Sequence, residues 1–250
     1  MRRDQIALQL YTVRRLAAED LTGTLRAVAA VGYRAVELAG LPVTAPGELA
    51  HDLAASGLRV VAAHESIERL RADVAAVAET LLELGCPRVI VPWIPDEDRR
   101  TADDARRFAA ELGELSRRLG EHGLRLGYHN HAFEFAPLDG TTIWDILLGE
   151  LPPEVELELD VYWAAVAGRD PTAEIGATAA RVRLLHMKDR APEPEPRDVP
   201  AGSGTLDFPQ IVEAARAADV EWYVVELDEP GDALRDIGDA LVYLESLAHD

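Results

Sequence analysis

The sequence holds one cysteine, Cys86, and one lysine, Lys188, in 250 residues. A lone thiol excludes an intramolecular disulfide and any zinc–thiolate cluster, and it fits a reducing compartment, the cytoplasm. No apolar run approaches the roughly 18 residues that a membrane span requires. The N-terminal stretch is basic, but it breaks at Gln5 and Gln9 and lacks the apolar core of a signal peptide. Basic residues are few: 25 Lys+Arg face 45 Asp+Glu, a net charge of −20. A surface that acidic repels a phosphate backbone, which argues against nucleic acid and anionic membranes as partners. Every basic residue except Lys188 is arginine. A lineage bias accounts for the scarcity of lysine, but not for where the remaining one sits.

Hydrophobic residues make up 48% of the chain, enough for one large core. Eight β-rich runs stand between turn residues, at 6–10, 35–38, 59–63, 88–91, 125–129, 156–160, 182–186 and 223–227. Ala-, Leu- and Glu/Arg-rich stretches with helical spacing separate them. Leu21, Leu25, Val28 and Ala29 precede Gly32; Leu81, Leu82 and Leu84 precede Gly85; Phe108, Leu112, Leu115 and Leu119 precede Gly123. Glycine just past a helical stripe is a stop signal. Val60–Ala62 and Val89–Val91 are unbroken apolar runs, as in parallel strands covered on both faces.

Strands alternating with helices imply βαβ units, and eight of them in this length imply an α/β (β/α)8 TIM barrel, one domain over residues 1–250. A doubly wound open sheet would show a Gly-rich loop after the first strand. Gln9-Leu10-Tyr11-Thr12-Val13-Arg14 contains no glycine. Residues 190–204 form the one long connection, and their prolines suggest the edge of a cleft or a lid.

Barrel enzymes place their chemistry at the C-terminal ends of the strands. His64, His129, His131 and His186 fall there, whereas His51, His122 and His249 lie on helices or the tail. Carboxylates follow: Glu134 after strand five, Asp160 after six, Glu226 after eight. Three carboxylates and the His186 imidazole suit a divalent ion of intermediate hardness, Mn²⁺ first, with Mg²⁺, Co²⁺ or Zn²⁺ as alternatives. Without a cation, carboxylates converging on one mouth repel one another. Taken singly, an Asp after a strand is as readily a helix cap, and a strand-end His a hydrogen-bonded structural residue.

Six motifs sharpen the reading: Gln9-Leu10-Tyr11-Thr12-Val13-Arg14, Tyr128-His129-Asn130-His131-Ala132-Phe133-Glu134-Phe135, Leu159-Asp160-Val161-Tyr162-Trp163, His186-Met187-Lys188-Asp189, Gly202-Ser203-Gly204-Thr205-Leu206-Asp207 and Val225-Glu226-Leu227-Asp228. In this order they resemble the sugar phosphate isomerase/epimerase family. That xylose isomerase-like barrel group includes ketose 3-epimerases, inosose dehydratase and inosose isomerase. The resemblance maps the family's metal ligands onto Glu134, Asp160, His186 and Glu226. It implies proton transfer at carbon beside a carbonyl of a sugar or inositol, with Glu134 and Glu226, or His131 and Glu226, as the catalytic pair. The sequence departs from ketose 3-epimerases in lacking a glutamate within strand five, where His131 is the substitute as ligand or base. Loss of a β-hydroxyl from the same intermediate would give dehydration instead.

Gln9, His64, Trp93, Trp163 and Lys188 are then the candidate substrate contacts, with Glu37 placed to orient His64. Arg14 and Arg190 stand near the mouth as anchors for an anionic group or as ordinary surface charge. With no Gly-rich cradle visible, an unphosphorylated sugar or polyol is the expected partner, and a homo-oligomer is compatible with the chain. Lys188 keeps a second class open, a Schiff-base aldolase. A non-catalytic sugar-binding subunit is a third.

Overall fold

The computed structural model describes residues 1–194 and 197–248; Glu195, Pro196, His249 and Asp250 lie outside them. Eight parallel strands close into a barrel in chain order. They are β1 (Ile6–Gln9), β2 (Ala35–Leu38), β3 (Arg59–His64), β4 (Arg88–Val91), β5 (Arg125–His129), β6 (Glu156–Asp160), β7 (Val182–His186) and β8 (Trp222–Val225). β1 pairs with both β2 and β8, which closes the ring and excludes the open sheet. All eight expected runs are strands. β1 stops at Gln9, one residue short, β3 runs one residue further, to His64, and β8 spans Trp222–Val225, leaving Glu226 just beyond it.

Side chains alternate across a strand, and the barrel interior sorts into layers accordingly. Ala7, Ala35, Val61, Ile90, Leu184 and Val224 form an apolar layer. Gly127 is needed here, because a Cβ would meet Ile90 Cδ1 at 2.7 Å. Two residues further along their strands or just past them, the inward positions turn polar: Gln9, Glu37, His129, His186 and Glu226, all buried. At the opposite end, the buried guanidinium of Arg88 pairs with Glu156 and, at 2.7 Å, with Glu221.

The outward faces pack against helices α1 (Leu21–Val31), α2 (Pro46–Ala55), α3 (Val74–Glu83), α4 (Ala102–Gly120), α5 (Ile143–Glu150), α6 (Pro171–Ala177), α7 (Phe208–Ala217) and α8 (Ala233–Leu247). α4 shows how the sequence sets such a helix. Thr101 and Asp104 cap each other's backbone N–H groups at its start. Phe108, Leu112, Leu115 and Leu119 are buried along one face. Gly123 then takes a left-handed φ of +79°, a conformation that costs glycine little. In α3, Leu81 is buried as its stripe predicts, whereas Leu82 is exposed.

No helix among the described residues is long and apolar enough to cross a membrane. The long connection after β7 is pinned at its base. Asp189–Arg190 pairs antiparallel with Asp198–Val199, and the Asp189 carboxylate accepts from the backbone N–H groups of Gly202, Gly204 and Leu206 at 2.8–3.0 Å.

Candidate metal centre and catalytic cavity

β6, β7 and the end of β8 deliver Asp160, His186 and Glu226 to the C-terminal mouth, with one donor atom of each within 4.8 Å of the others. His186 Nδ1 lies 2.8 Å from Glu226 Oε2 and 3.9 Å from Asp160 Oδ2. Asp160 is both cap and candidate ligand. Its Oδ1 accepts from the backbone N–H groups of Tyr162 and Trp163, at 2.9 and 3.0 Å, and starts the helical turn Val161–Val166. Its Oδ2 is buried and accepts no well-aligned hydrogen bond. Asn130 Oδ1 holds the strand end in place by accepting from Asp160 N–H at 3.0 Å.

A cation of the protein's own already touches these oxygens. Lys188, 1% exposed, places Nζ 2.9 Å from Asp160 Oδ2, 2.8 Å from Glu226 Oε2 and 3.1 Å from Asp228 Oδ2. Burial opposes its charge, but the three carboxylates outweigh burial and hold the ammonium well above its ordinary pKa. Burial, only partly offset by Lys188, pushes Asp160 up to about 6.

Deeper in the barrel, Glu158 Oε2 is shared by three rings: His64 Nε2 at 2.8 Å, His129 Nδ1 at 3.1 Å and His186 Nε2 at 3.2 Å. Glu37 Oε2 meets His186 Nε2 at 2.8 Å and accepts from Gln9 Nε2 at 2.8 Å. Burial opposes charging His64, but Glu37 and Glu158 prevail and raise it to about 10. Burial and the neighbouring His186 instead push His129 down to about 3.

His64, His129, Glu158 and His186 also satisfy the geometry of a metal-ligand group. Each group holds a buried carboxylate oxygen without an aligned hydrogen bond, Glu158 Oε1 below and Asp160 Oδ2 above, but the upper trio offers two carboxylates to one imidazole, the harder donor set. The upper trio is therefore the better candidate for a metal. Two carboxylates and an imidazole, converging where Lys188 already supplies positive charge, fit a divalent ion.

A sequence model of the xylose isomerase-like TIM barrel family matches residues 25–247. The chain belongs to that family. A solved sugar phosphate isomerase/epimerase from Parabacteroides distasonis ATCC 8503 matches with TM-score 0.83 at 26% identity, covering 96% of both chains. The IOLI protein carrying a zinc atom matches with TM-score 0.77 at 17% identity, over 98% of this chain and 99% of that one. A probable 3-DHS dehydratase, AsbF, from Bacillus anthracis matches with TM-score 0.73 at 13% identity, over 96% and 98%. No curated protein matches the sequence.

In this xylose isomerase-like barrel, a cavity of about 390 Å³ reaches the trio at Glu226 and is lined also by Tyr11, His64, Trp93, His129, His131 and Asp228 among others. Trp93 is 45% exposed, a flat apolar surface at the rim. Trp163 lies deeper, its ring centroid 5.5 Å from Lys188 Nζ and 5.7 Å from the His131 ring. His131 Nδ1 is buried without a partner, and burial pushes its pKa down to about 2, so the ring is neutral.

Glu134, expected as fourth ligand and as base, lies elsewhere. Tyr128 alternates with His129 and so faces the helices, where it packs on Phe108. Glu134 folds back behind the strand, accepting from the Tyr128 hydroxyl at 2.7 Å and from His131 N–H at 2.8 Å. Burial raises it to about 7. Gln9, expected to touch substrate, is fully buried and holds Glu37 instead.

Arg14 is engaged with Glu229 at 3.0 Å, and Arg190 with Glu193 at 2.7 Å. Glu158 and Asp228 join the site without being among the expected residues. The sequence signal for Glu158 is its spacing of two from Asp160, which points both into the barrel.

Proposed function

We propose that the protein is a divalent-metal-dependent isomerase or epimerase that moves a proton on carbon beside the carbonyl of a sugar, keto-sugar or inosose. The observation that carries this reading is the convergence of Asp160, His186 and Glu226 on one another, where Lys188 already answers the charge of both carboxylates, beside a cavity that Glu226 lines together with His64, His129 and His131. A divalent ion held by those three residues, Mn²⁺ in the first instance, would supply the positive charge that polarises a carbonyl and steadies an enediolate.

The chain's own groups divide the remaining work. His131, which lines the cavity with Nδ1 unpartnered, is the group placed to accept a proton from substrate carbon on one wall. Glu226 faces it from β8 as the second proton-transfer group. His64, charged between Glu37 and Glu158, donates to a substrate hydroxyl, and Trp93 covers the apolar face of the ring. Lys188 is held among three carboxylates as an ammonium, which favours a donor and disfavours the amine nucleophile of an aldolase.

Likeness to the probable 3-DHS dehydratase AsbF favours a second reading, in which the same carbanion chemistry expels a β-hydroxyl. Both are tested by incubating the protein with Mn²⁺ in D₂O with ketoses, inososes and 3-keto-glycosides. Deuterium at one carbon, abolished by chelator, is expected. Loss of water alongside exchange identifies the dehydratase. Exchange that ignores chelator contradicts the metal-dependent reading.

A further inference from the structure

Beside the catalytic cavity lies a second and larger hollow of about 660 Å³. The two share Ala39, Gly40 and His64 in their walls, so they lie side by side at the ends of β2 and β3. Their chemistry differs. The catalytic cavity is rimmed by histidines and acids, whereas the second is walled by Leu41, Pro42, Val43, Leu49 and Leu84. Its charged pair is self-contained, since Arg69 Nη1 reaches both oxygens of Glu65 at 2.8 Å. Leu41 and Leu84 are only half-buried and Val43 is fully exposed, so the groove leaves apolar surface in contact with water.

We propose that the substrate is amphiphilic: its polyol ring lies in the catalytic cavity, and an aromatic or alkyl substituent on that ring lies in this groove. The proposal rests on the reading of the site given above and adds the substrate's second half. A substituent leaving the ring past His64 comes to walls formed by Gly40, Leu41 and Leu84, where the charged side chains Arg69 and Glu65 already pair with each other. Binding energy from such a remote, non-reacting part can hold the reacting carbon in place. Stabilisation comes from apolar area removed from water on both partners.

The test compares methyl and phenyl glycosides of glucose and galactose, which lack the carbonyl and so remain unreacted. Binding is followed by NMR of leucine methyl and histidine ring signals in the full chain. The phenyl compound is expected to bind about tenfold or more tighter than its methyl partner, the advantage of burying one aromatic ring. It should shift Leu41 and Leu84 methyls together with His64 and His129, whereas the methyl compound shifts the histidines alone. Leu41→Asp and Leu84→Asp should each erase the phenyl advantage and leave methyl glycoside binding unchanged.

Equal affinities, an advantage that survives both variants, or leucine shifts without histidine shifts would overturn the proposal. The functional reading fails separately: a phenyl preference in a protein that exchanges no deuterium keeps the groove and removes the reaction. Exchange without any phenyl preference does the reverse.

Discussion

Lys188 Nζ lies 2.9 Å from Asp160 Oδ2, the oxygen of that carboxylate that caps no helix. An ammonium thus neutralises part of the charge that a divalent ion would neutralise, and Asp228 offers it a further partner at 3.1 Å. Removing one partner of a buried ion pair costs roughly 3–5 kcal/mol because the other charge is left uncompensated. Lys188→Met should therefore unfold at lower temperature in chelator, and divalent metal should raise its Tm by more than it raises that of the wild type. Equal metal-induced shifts in the two proteins would contradict this role.

The two oxygens of Asp160 can be separated by substitution. Asn retains an acceptor for the N–H groups of Tyr162 and Trp163, whereas Ala does not. Asp160→Asn and Asp160→Ala should both lose metal and both weaken the hold on Lys188, but Asp160→Ala should be about 1 kcal/mol less stable than Asp160→Asn because it alone loses the cap. Both follow from metal analysis beside denaturant titration. Metal retained by Asp160→Asn would assign Oδ2 no role.

Glu134→Gln should behave in the opposite way. The carboxylate serves Tyr128 and the His131 backbone, so its replacement should cost about 1–2 kcal/mol of stability and leave metal content unchanged. Metal lost at unaltered stability would return Glu134 to the ligand set.

The histidines set two opposing pH dependences. His64 is raised from 6.5 to about 10, so its contribution is complete below pH 6.5 and is lost as pH rises through about 10. His131 and His129 are lowered to about 2 and about 3, so their contribution is present above pH 6.5 and is lost as pH falls below it. Thermal unfolding from pH 4 to 10 should show the stability gap between wild type and His64→Gln narrowing on the alkaline side. A gap that does not change with pH would contradict the raised His64.

Much of this architecture is legible in the sequence. Unbroken apolar runs such as Val89–Val91 mark strands buried on both faces, and strand-end acids point to the mouth. The places of Asp160, His186 and Glu226 at the mouth are legible that way because a strand's direction fixes where its end lies. Glu134 is misplaced because it follows a turn, where proximity in sequence no longer specifies direction. Glu158 escapes notice because a glutamate inside a buried strand makes sense only once rings from β3, β5 and β7 share its oxygen. The one lysine becomes intelligible at the same point. Two residues past His186, Lys188 faces the same interior and meets acids from two other strand ends.

The most direct test is the metal content of purified protein after dialysis against Mn²⁺, for the wild type and for His186→Ala and Glu226→Ala. One ion per wild-type chain and none in either variant is the predicted result. Equal metal in all three proteins, or none in the wild type, would contradict a divalent-metal site built from Asp160, His186 and Glu226.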